Sequence, residues 1–256
     1  MASANAAAAV AVRAAAAAQV FVDDPGRPLL SDEDVHHLGR VLRLRDGEEV
    51  IAADGRGRWA RTVWRGSATL EPLTNGTGIG GDGTVHSEAR AEPALTVAFA
   101  PVKGERPEWV VQKLTELGID RIVPLRSERS VVRWTGARGQ ASVEKLRRVA
   151  RAAAAQCRRV WLPEVSDTVA FADLQGLGGP GQVVLAQLSG DRPTLAQRVV
   201  AVGPEGGWST EELASGLPTV GFGLNVLRAE TAAVTAGALL ASLRTGTVAA
   251  AGEPTR

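Results

Sequence analysis

The chain has 256 residues, of which 45% are hydrophobic and 22% charged, a balance that excludes wholesale disorder and a collagen-like fibre. No apolar run reaches the roughly 18 residues that a membrane span requires, and a net charge of +1 gives no global electrostatic signature. The single cysteine, Cys157, cannot form an internal disulfide, which favours a reducing compartment. Together with three histidines it makes no metal-ligand pattern. We therefore expect a cytoplasmic protein without a membrane segment or a metal site.

Residues 1–18 are almost entirely alanine and valine, interrupted by Arg13. A secretory signal places its basic residue before a strongly apolar run, whereas Arg13 lies inside a weakly apolar one, so export is the less favoured alternative. The composition predicts a frayed Ala-rich tail over residues 1–18 and a second tail over residues 249–256.

The next stretch is a series of short β-rich runs. They cover residues 19–22, 48–53 and 58–64 and are separated by turn sequences. Residues 31–44 have apolar side chains at helical spacing, which predicts a helix. These patterns predict a small β-rich domain over residues 19–73.

Residues 74–93 are rich in glycine, threonine and serine and show no apolar period, which predicts a linker or a long exposed loop. Gly76, Gly78 and Gly81 have the literal spacing of a dinucleotide-binding fingerprint. That fingerprint must open a helix. Because no helical pattern follows, we reject a dinucleotide site here.

From residue 94 to residue 248 strands and helices alternate, which predicts an α/β domain with a mostly parallel sheet. The predicted strands are residues 95–100, 121–125, 182–188, 198–202 and 219–222. The predicted helices are residues 107–117, 142–159, a helix capped by Ser209 and Glu212, and residues 229–243. Cys157 is expected on the buried face of the second of these helices.

Ligands of open α/β sheets bind in loops at the carboxyl ends of strands, and three such loops stand out, at residues 185–190, 203–207 and 223–228. The second loop is rich in glycine, which lets its backbone approach a ligand closely, and a helix with free N–H groups follows it. It is not a Walker loop, because no Gly-Lys-Ser/Thr follows. An ordinary strand-to-helix turn explains the spacing equally well.

The third loop ends in Arg228, which Glu230 follows at the start of the last helix. These two side chains could form an ion pair with each other at the helix start. Alternatively, Arg228 could stabilise negative charge that develops on a bound substrate. The spacing alone does not decide between these two roles.

Two segments concentrate basic residues. Residues 40–65 hold seven arginines and four acids, and residues 121–159 hold eleven basic residues and two acids. Both segments or their flanks carry tryptophan, and basic surfaces with aromatic side chains suit RNA. A solvated helix face is the alternative explanation.

Six ordered sequence blocks lie between about residues 20 and 245. They are His37 to Arg43 with Asp54-Gly55, Lys103 to Arg106 with its continuation through Ile119, Pro124 with Ser127 to Ser130, Gln156 to Arg159, Gly203 to Gly207, and Leu227 to Ala232. Together they resemble the RsmE family of 16S ribosomal RNA (uracil-N3)-methyltransferases. Six blocks in order are far more specific than any one of them.

The resemblance implies an α/β fold of the SPOUT class, with a trefoil knot in a methyltransferase domain over residues 94–248 and a PUA-like β-barrel over residues 19–73. It also implies a homodimer that binds S-adenosylmethionine and makes 3-methyluridine in 16S rRNA or the 30S subunit. The implied cofactor-binding residues are Leu185, Gly203, Pro204, Glu205, Gly206, Gly207, Leu224, Asn225, Val226 and Leu227. The implied RNA-binding residues are Arg40, Arg43, Lys103, Arg106 and Arg129.

In this scheme Arg228 stabilises the charge on the uracil oxygens once N3 has lost its proton, and Glu230 orients Arg228 or accepts the proton. N3 lies on the pairing edge, so the base must be unpaired or flipped out. The chain departs from the family pattern at Asn225, where the family has arginine. That departure supports one alternative, a catalytically degenerate SPOUT-fold RNA-binding or assembly factor. A SPOUT ribose 2′-O-methyltransferase is a second alternative that stays open.

Overall fold

The structure, a computed structural model, describes residues 2–66 and 68–249, so the predicted C-terminal tail lies outside the described residues apart from its first. The chain forms two compact units, one of Met1–Arg90 with Ala154–Leu162 and the other of Ala91–Ala153 with Pro163–Arg256. Within the described part, no helix combines the length and apolarity needed to cross a bilayer.

The first unit is built on a five-stranded sheet. Its elements are α1 (Ala2–Ala15), β1 (Ala18–Phe21), α2 (Asp32–His36), β2 (Glu49–Ala53), β3 (Arg58–Arg65), β4 (Thr69–Pro72) and β5 (His86–Ser87). β1 pairs with β2 in parallel, and β3 pairs in antiparallel fashion with β2, β4 and β5. The helix predicted over residues 31–44 is shorter than expected, because α2 passes into a π-helical turn at His37–Val41.

The Ala-rich N-terminus is a helix and not a frayed tail. Alanine has the highest helix propensity, and α1 packs with Ala9 buried. Arg13, also buried, forms an ion pair with Glu88 and stacks 5.1 Å from the centroid of the Trp59 ring. Composition predicts a tail because alanine carries little apolar signal, whereas long-range contacts anchor the segment.

The stretch predicted as a linker belongs to the first unit up to Arg90. Arg61 donates to both carboxylate oxygens of Glu49, at 2.6 and 2.8 Å, and to the carbonyl of Thr77 at 2.7 Å. The hydrogen bond to Glu49 raises the pKa of the Arg61 guanidinium. The glycines and polar residues therefore form a loop fixed against the sheet, and the boundary between units lies about 17 residues later than composition suggests.

The second unit is an α/β unit. It contains β6 (Thr96–Phe99), α3 (Arg106–Glu116), β7 (Arg121–Arg126), most of α4 (Gly136–Gln156), β8 (Glu164–Val165), β9 (Val169–Ala170), a 3₁₀ helix (Phe171–Leu177), β10 (Val183–Asp191), β11 (Val199–Val202), α5 (Thr210–Leu213), β12 (Thr219–Val220) and α6 (Ala229–Thr245). The strand order is β12-β10-β11-β6-β7-β8, with β9 also on β7, and all these pairs are parallel. The predicted mostly parallel α/β sheet is confirmed.

The sheet of the second unit buries both faces, as parallel sheets do. Val97 and Phe99 pack on one face with residues of α3 and α6, while Ala98 packs on the other with Val123 and Leu185. This alternation follows from the two-residue period of a strand. α4 ends at Gln156, one residue before Cys157, which is exposed and not buried as predicted.

An almost fully buried ion pair joins Arg244 near the end of α6 to Asp120, the residue before β7. Arg244 donates to Asp120 at 2.5 Å and to the carbonyl of Gly118 at 2.7 Å, and the two charged side chains are 9% and 5% exposed. Asp120 also accepts the backbone N–H of Leu95 at 3.0 Å. The carboxylate is thus satisfied by a cation and a backbone donor, which offsets its desolvation.

Candidate functional site: a cavity at the carboxyl ends of parallel strands

A cavity of 530 Å³ lies beside residues 186–188 of β10 and the segments at the carboxyl ends of β11 and β12. Sites for small molecules have volumes of about 300–1,000 Å³, so the cavity suits a ligand of that class. Its lining comes from residues 186–188, from residues between 202 and 208, and from residues between 222 and 232. The three loops singled out in the sequence therefore meet at one place.

Arg228 lines this cavity, and so do most of the predicted cofactor-binding residues. The cofactor-binding residues that line it are Gly203, Pro204, Glu205, Gly207, Asn225, Val226 and Leu227.

Three predicted residues lie elsewhere. Leu185 is fully buried in the core of the second unit, because the strand alternation turns its side chain into the sheet packing. Leu224 is 98% exposed. Gly206 lies next to the side chain of Arg129. A Cβ on Gly206 would be 3.6 Å from the Cβ of Arg129.

Sequence reasoning missed the aromatic residues of the cavity. Trp208 and Phe222 both line it, and the Trp208 indole N–H donates to the carbonyl of Ala186 at 3.0 Å. A Cβ on Gly203 would lie 3.0 Å from the Trp208 ring, a tight contact that glycine avoids. The tryptophan directly after a glycine-rich loop was the signal available in the sequence.

The glycine-rich loop, residues 203–207, and the helix α5 that follows it are stabilised by contacts with residues 128 and 129. The predicted capping box of α5 is confirmed, since Ser209 and Glu212 exchange hydrogen bonds. Glu212 is buried and also accepts the backbone N–H of Glu128 at 2.9 Å. Arg129 donates to the carbonyl of Gly206 at 3.2 Å. The turn at residues 127–130 therefore supports the loop that lines the cavity.

Charged side chains at the edge of the cavity pair differently from the sequence expectation. Arg228 and Glu230 do not form an ion pair with each other, since residues two apart at a helix start do not face each other. Glu230 instead lies 3.6 Å from Nη1 of Arg106, and Glu205 lies 2.8 Å from the same atom. Arg228 is exposed, and its backbone caps α6.

The predicted RNA-binding residues are exposed to solvent. In the first unit Arg40 lies in the π-helical turn and Arg43 follows it with a left-handed backbone, φ 54°. In the second unit Lys103 precedes α3 and Arg129 lies beside the glycine-rich loop. Within the described ranges no group of three or more histidine, cysteine, aspartate or glutamate residues could hold a metal ion.

Two backbones approach each other closely beside the cavity. Ala186 and Asp191 of β10 both pair with Val220 of β12, so the register between these two strands is interrupted at residues 187–190. A Cβ on Gly190 would lie 2.4 Å from the Val220 backbone, and one on Gly221 would lie 2.8 Å from the carbonyl oxygen of Gly190. The close approach requires both glycines, because no side chain fits between the two backbones.

Two known protein families match separate parts of this chain. Residues 90–241 match the RNA methyltransferase domain family, and residues 30–63 match the RNA methyltransferase PUA domain family. In fold, the chain is similar to a protein of Legionella pneumophila that is described as a methyltransferase and was solved with bound SAM. That structure has 25% sequence identity and a TM-score of 0.71, and the match covers 87% of this chain and 96% of that one.

Two relatives carry the name ribosomal RNA small subunit methyltransferase E. The protein of Synechocystis sp. is 33% identical over 230 residues, which cover 84% of this chain and 72% of that protein. The protein of Mycobacterium bovis is 31% identical over 234 residues, which cover 83% of this chain and 86% of that protein. With identity at this level over most of both sequences, the chain belongs to the ribosomal RNA small subunit methyltransferase E family.

Proposed function

We propose that this protein transfers the methyl group of S-adenosylmethionine to N3 of a uridine in 16S rRNA. The observation that carries the proposal is the cavity at the strand ends, in a chain whose fold matches that of a protein solved with bound SAM. Membership of an rRNA methyltransferase family supports the reaction type.

The residues of the cavity fit this cofactor. Its walls combine apolar side chains, among them Phe222, Val226 and Leu227, with the backbone of the glycine-rich loop. A flat aromatic group suits such walls, and loop N–H and C=O groups suit its polar edges. When bound, S-adenosylmethionine supplies an electrophilic methyl group. Gly203 and Gly207 have no side chains that would block the approach of the cofactor to the backbone. Trp208 would form the part of the cavity wall next to Gly203.

We assign to Arg228 the stabilisation of negative charge on the uracil. It lines the cavity and is exposed at the start of α6, so its guanidinium can reach a base presented to the cofactor. N3 must lose its proton before it becomes a good nucleophile, and the charge then spreads onto the two carbonyl oxygens. A cation positioned there stabilises that charge. We assign the proton acceptor to Glu230, whose side chain is 12% exposed.

The RNA partner would be held by exposed cations of both units. We assign Arg40, Arg43, Lys103 and Arg129 to phosphate contacts, because arginine and lysine on an exposed surface supply most of the affinity for RNA. The match of residues 30–63 to a PUA family supports a PUA-like barrel as the RNA-holding part. Because the proposed substrate is small-subunit rRNA, we propose that the protein acts in the cytoplasm.

We propose that the second unit contains a trefoil knot, and the close approach of two backbones beside the cavity supports it. The pairing of β10 with β12 is interrupted at residues 187–190, and a knot needs one segment of chain to be threaded through a loop formed by another. Most proteins avoid such threading, so a knot would serve to fix the cavity segments.

The family also implies a homodimer. Leu224 and Val226 support it, with 98% and 85% of their surface exposed beside the cavity. Neighbouring apolar side chains this exposed often mark an interface between proteins. Sedimentation equilibrium of the purified chain would test the dimer, and a monomer at micromolar concentration would contradict it.

The reaction can be tested with tritiated S-adenosylmethionine and two substrates, 30S subunits that lack the modification and naked 16S rRNA. Nucleosides from the digested product would be identified by mass spectrometry. We expect label in 3-methyluridine. Label in an alkali-resistant ribose-methylated dinucleotide would instead indicate a 2′-O-methyltransferase. A folded protein that labels neither substrate would indicate an RNA-binding factor without this chemistry.

A further inference from the structure

Arg106 has an unusual position for a cation. It lies in the first turn of α3, where the free N–H groups of the helix disfavour positive charge. Its Nη1 lies 2.8 Å from Oε1 of Glu205 and 3.6 Å from Oε1 of Glu230. Glu205 lines the cavity, and Glu230 directly follows Ala229, which also lines it. One nitrogen therefore contacts a carboxylate on each of two cavity segments.

The two carboxylates differ in exposure. The Glu205 side chain is 56% exposed, whereas that of Glu230 is 12% exposed, and its Oε2 is buried without a hydrogen-bond partner among the described residues. A buried carboxylate without a nearby cation is costly, while an exposed ion pair contributes little. The contact with Arg106 therefore matters most for the placement of Glu230. Without Arg106, two like charges would face each other across the cavity edge.

We propose that Arg106 is a positioning residue that holds residues 203–207 and the start of α6 in the geometry that binds S-adenosylmethionine. The sequence predicts an RNA phosphate contact at Arg106, but its guanidinium is engaged by the two carboxylates. This assignment rests on the proposed function. A planar guanidinium can serve two acceptors in fixed directions, which a lysine ammonium does less well.

The first test is cofactor binding measured by calorimetry without RNA. We expect Arg106→Ala to weaken S-adenosylmethionine binding by about tenfold or more, because misplaced binding groups lose affinity steeply, and Arg106→Lys to recover part of the loss. The matched control is Arg192→Ala, which removes the same charge from an exposed position of the same unit outside the cavity lining. The control should bind like the unmodified protein.

The second measurement separates this role from a phosphate contact. The slope of log K for RNA binding against log salt concentration should not change in Arg106→Ala. Loss of a phosphate contact would reduce the magnitude of that slope by about 0.7–0.9. Unchanged cofactor affinity together with a reduced salt slope would overturn the proposal and assign Arg106 to RNA.

A double-mutant cycle tests the contact without any ligand. Melting temperatures would be compared for Arg106→Ala, Glu230→Gln, the double variant and the unmodified protein. We expect clearly non-additive shifts in melting temperature, since residues in contact couple. Additive shifts would contradict the assignment.

The binding measurement also distinguishes failure of this proposal from failure of the proposed function. If the unmodified protein does not bind S-adenosylmethionine, the proposed function fails. If it binds and Arg106→Ala binds equally well, only the role of Arg106 fails.

Discussion

At the scale of single residues, Arg228 is the sharpest test of the chemistry. It lines the cavity at the start of α6 and, in the proposed reaction, stabilises charge only as that charge develops on the uracil. Removing such a donor typically lowers kcat by about 100- to 1,000-fold, so we expect a loss of that size in Arg228→Ala. Single-turnover methylation measures it, and calorimetry should show S-adenosylmethionine affinity within about threefold of normal. Full activity in Arg228→Ala would remove the assignment.

Gly190 is a second residue-scale test, this time of the close approach between the backbones of β10 and β12. A Cβ there would lie 2.4 Å from the Val220 backbone, which is far inside van der Waals contact. We expect Gly190→Ala to destabilise the protein by about 2–4 kcal/mol, because the strands must move apart. Denaturant unfolding would measure this loss. Gly216→Ala is a comparison, since its Cβ would meet no atom within 4 Å, although its φ of 78° adds backbone strain. A loss in Gly190→Ala no larger than that in Gly216→Ala would contradict the steric argument, because Gly190 does not have a positive φ.

At the scale of elements, the end of α6 depends on one buried ion pair. Arg244 and Asp120 are 9% and 5% exposed, and removal of one partner leaves the other charge buried. We expect Arg244→Ala to lower the free energy of unfolding by about 3–5 kcal/mol. The double variant Arg244→Leu with Asp120→Asn should recover part of that loss, because no net charge then stays buried. Chemical denaturation of the three proteins is the measurement, and a loss under about 1 kcal/mol in Arg244→Ala would contradict the argument.

Element prediction succeeded where the apolar period was strong. The strand predicted at residues 198–202 is Val199–Val202, and the helix predicted at 229–243 is Ala229–Thr245. It failed for α1, because alanine and valine alone gave no amphipathic period, and for the helix at 31–44, which breaks into a π-helical turn. Two-residue strands such as β8 and β9 are too short to carry a pattern.

At the scale of the whole molecule, the first unit is discontinuous in sequence. Residues Ala154–Leu162 belong to it, and Trp161 donates to the carbonyl of Glu88 at 2.9 Å while packing in the cluster around Trp59. We therefore expect a fragment of residues 1–92 to lack a cooperative thermal transition, because it exposes part of its core. Near-UV circular dichroism and thermal unfolding would measure this. A cooperative transition like that of the full chain would show that the segment 154–162 is dispensable.

The sequence by itself determined the alternation of strands and helices, the parallel sheet and the three loops that meet at the cavity. These features follow from local periods and from the rule that parallel strands end at one edge. Only the tertiary structure decided which loop residues face the cavity: Leu185 points into the core, Trp208 forms a wall, and Arg106 pairs with Glu205 and Glu230. The same holds for the membership of residues 154–162 in the first unit. Such contacts join residues distant along the chain, and no local pattern records which of them will meet.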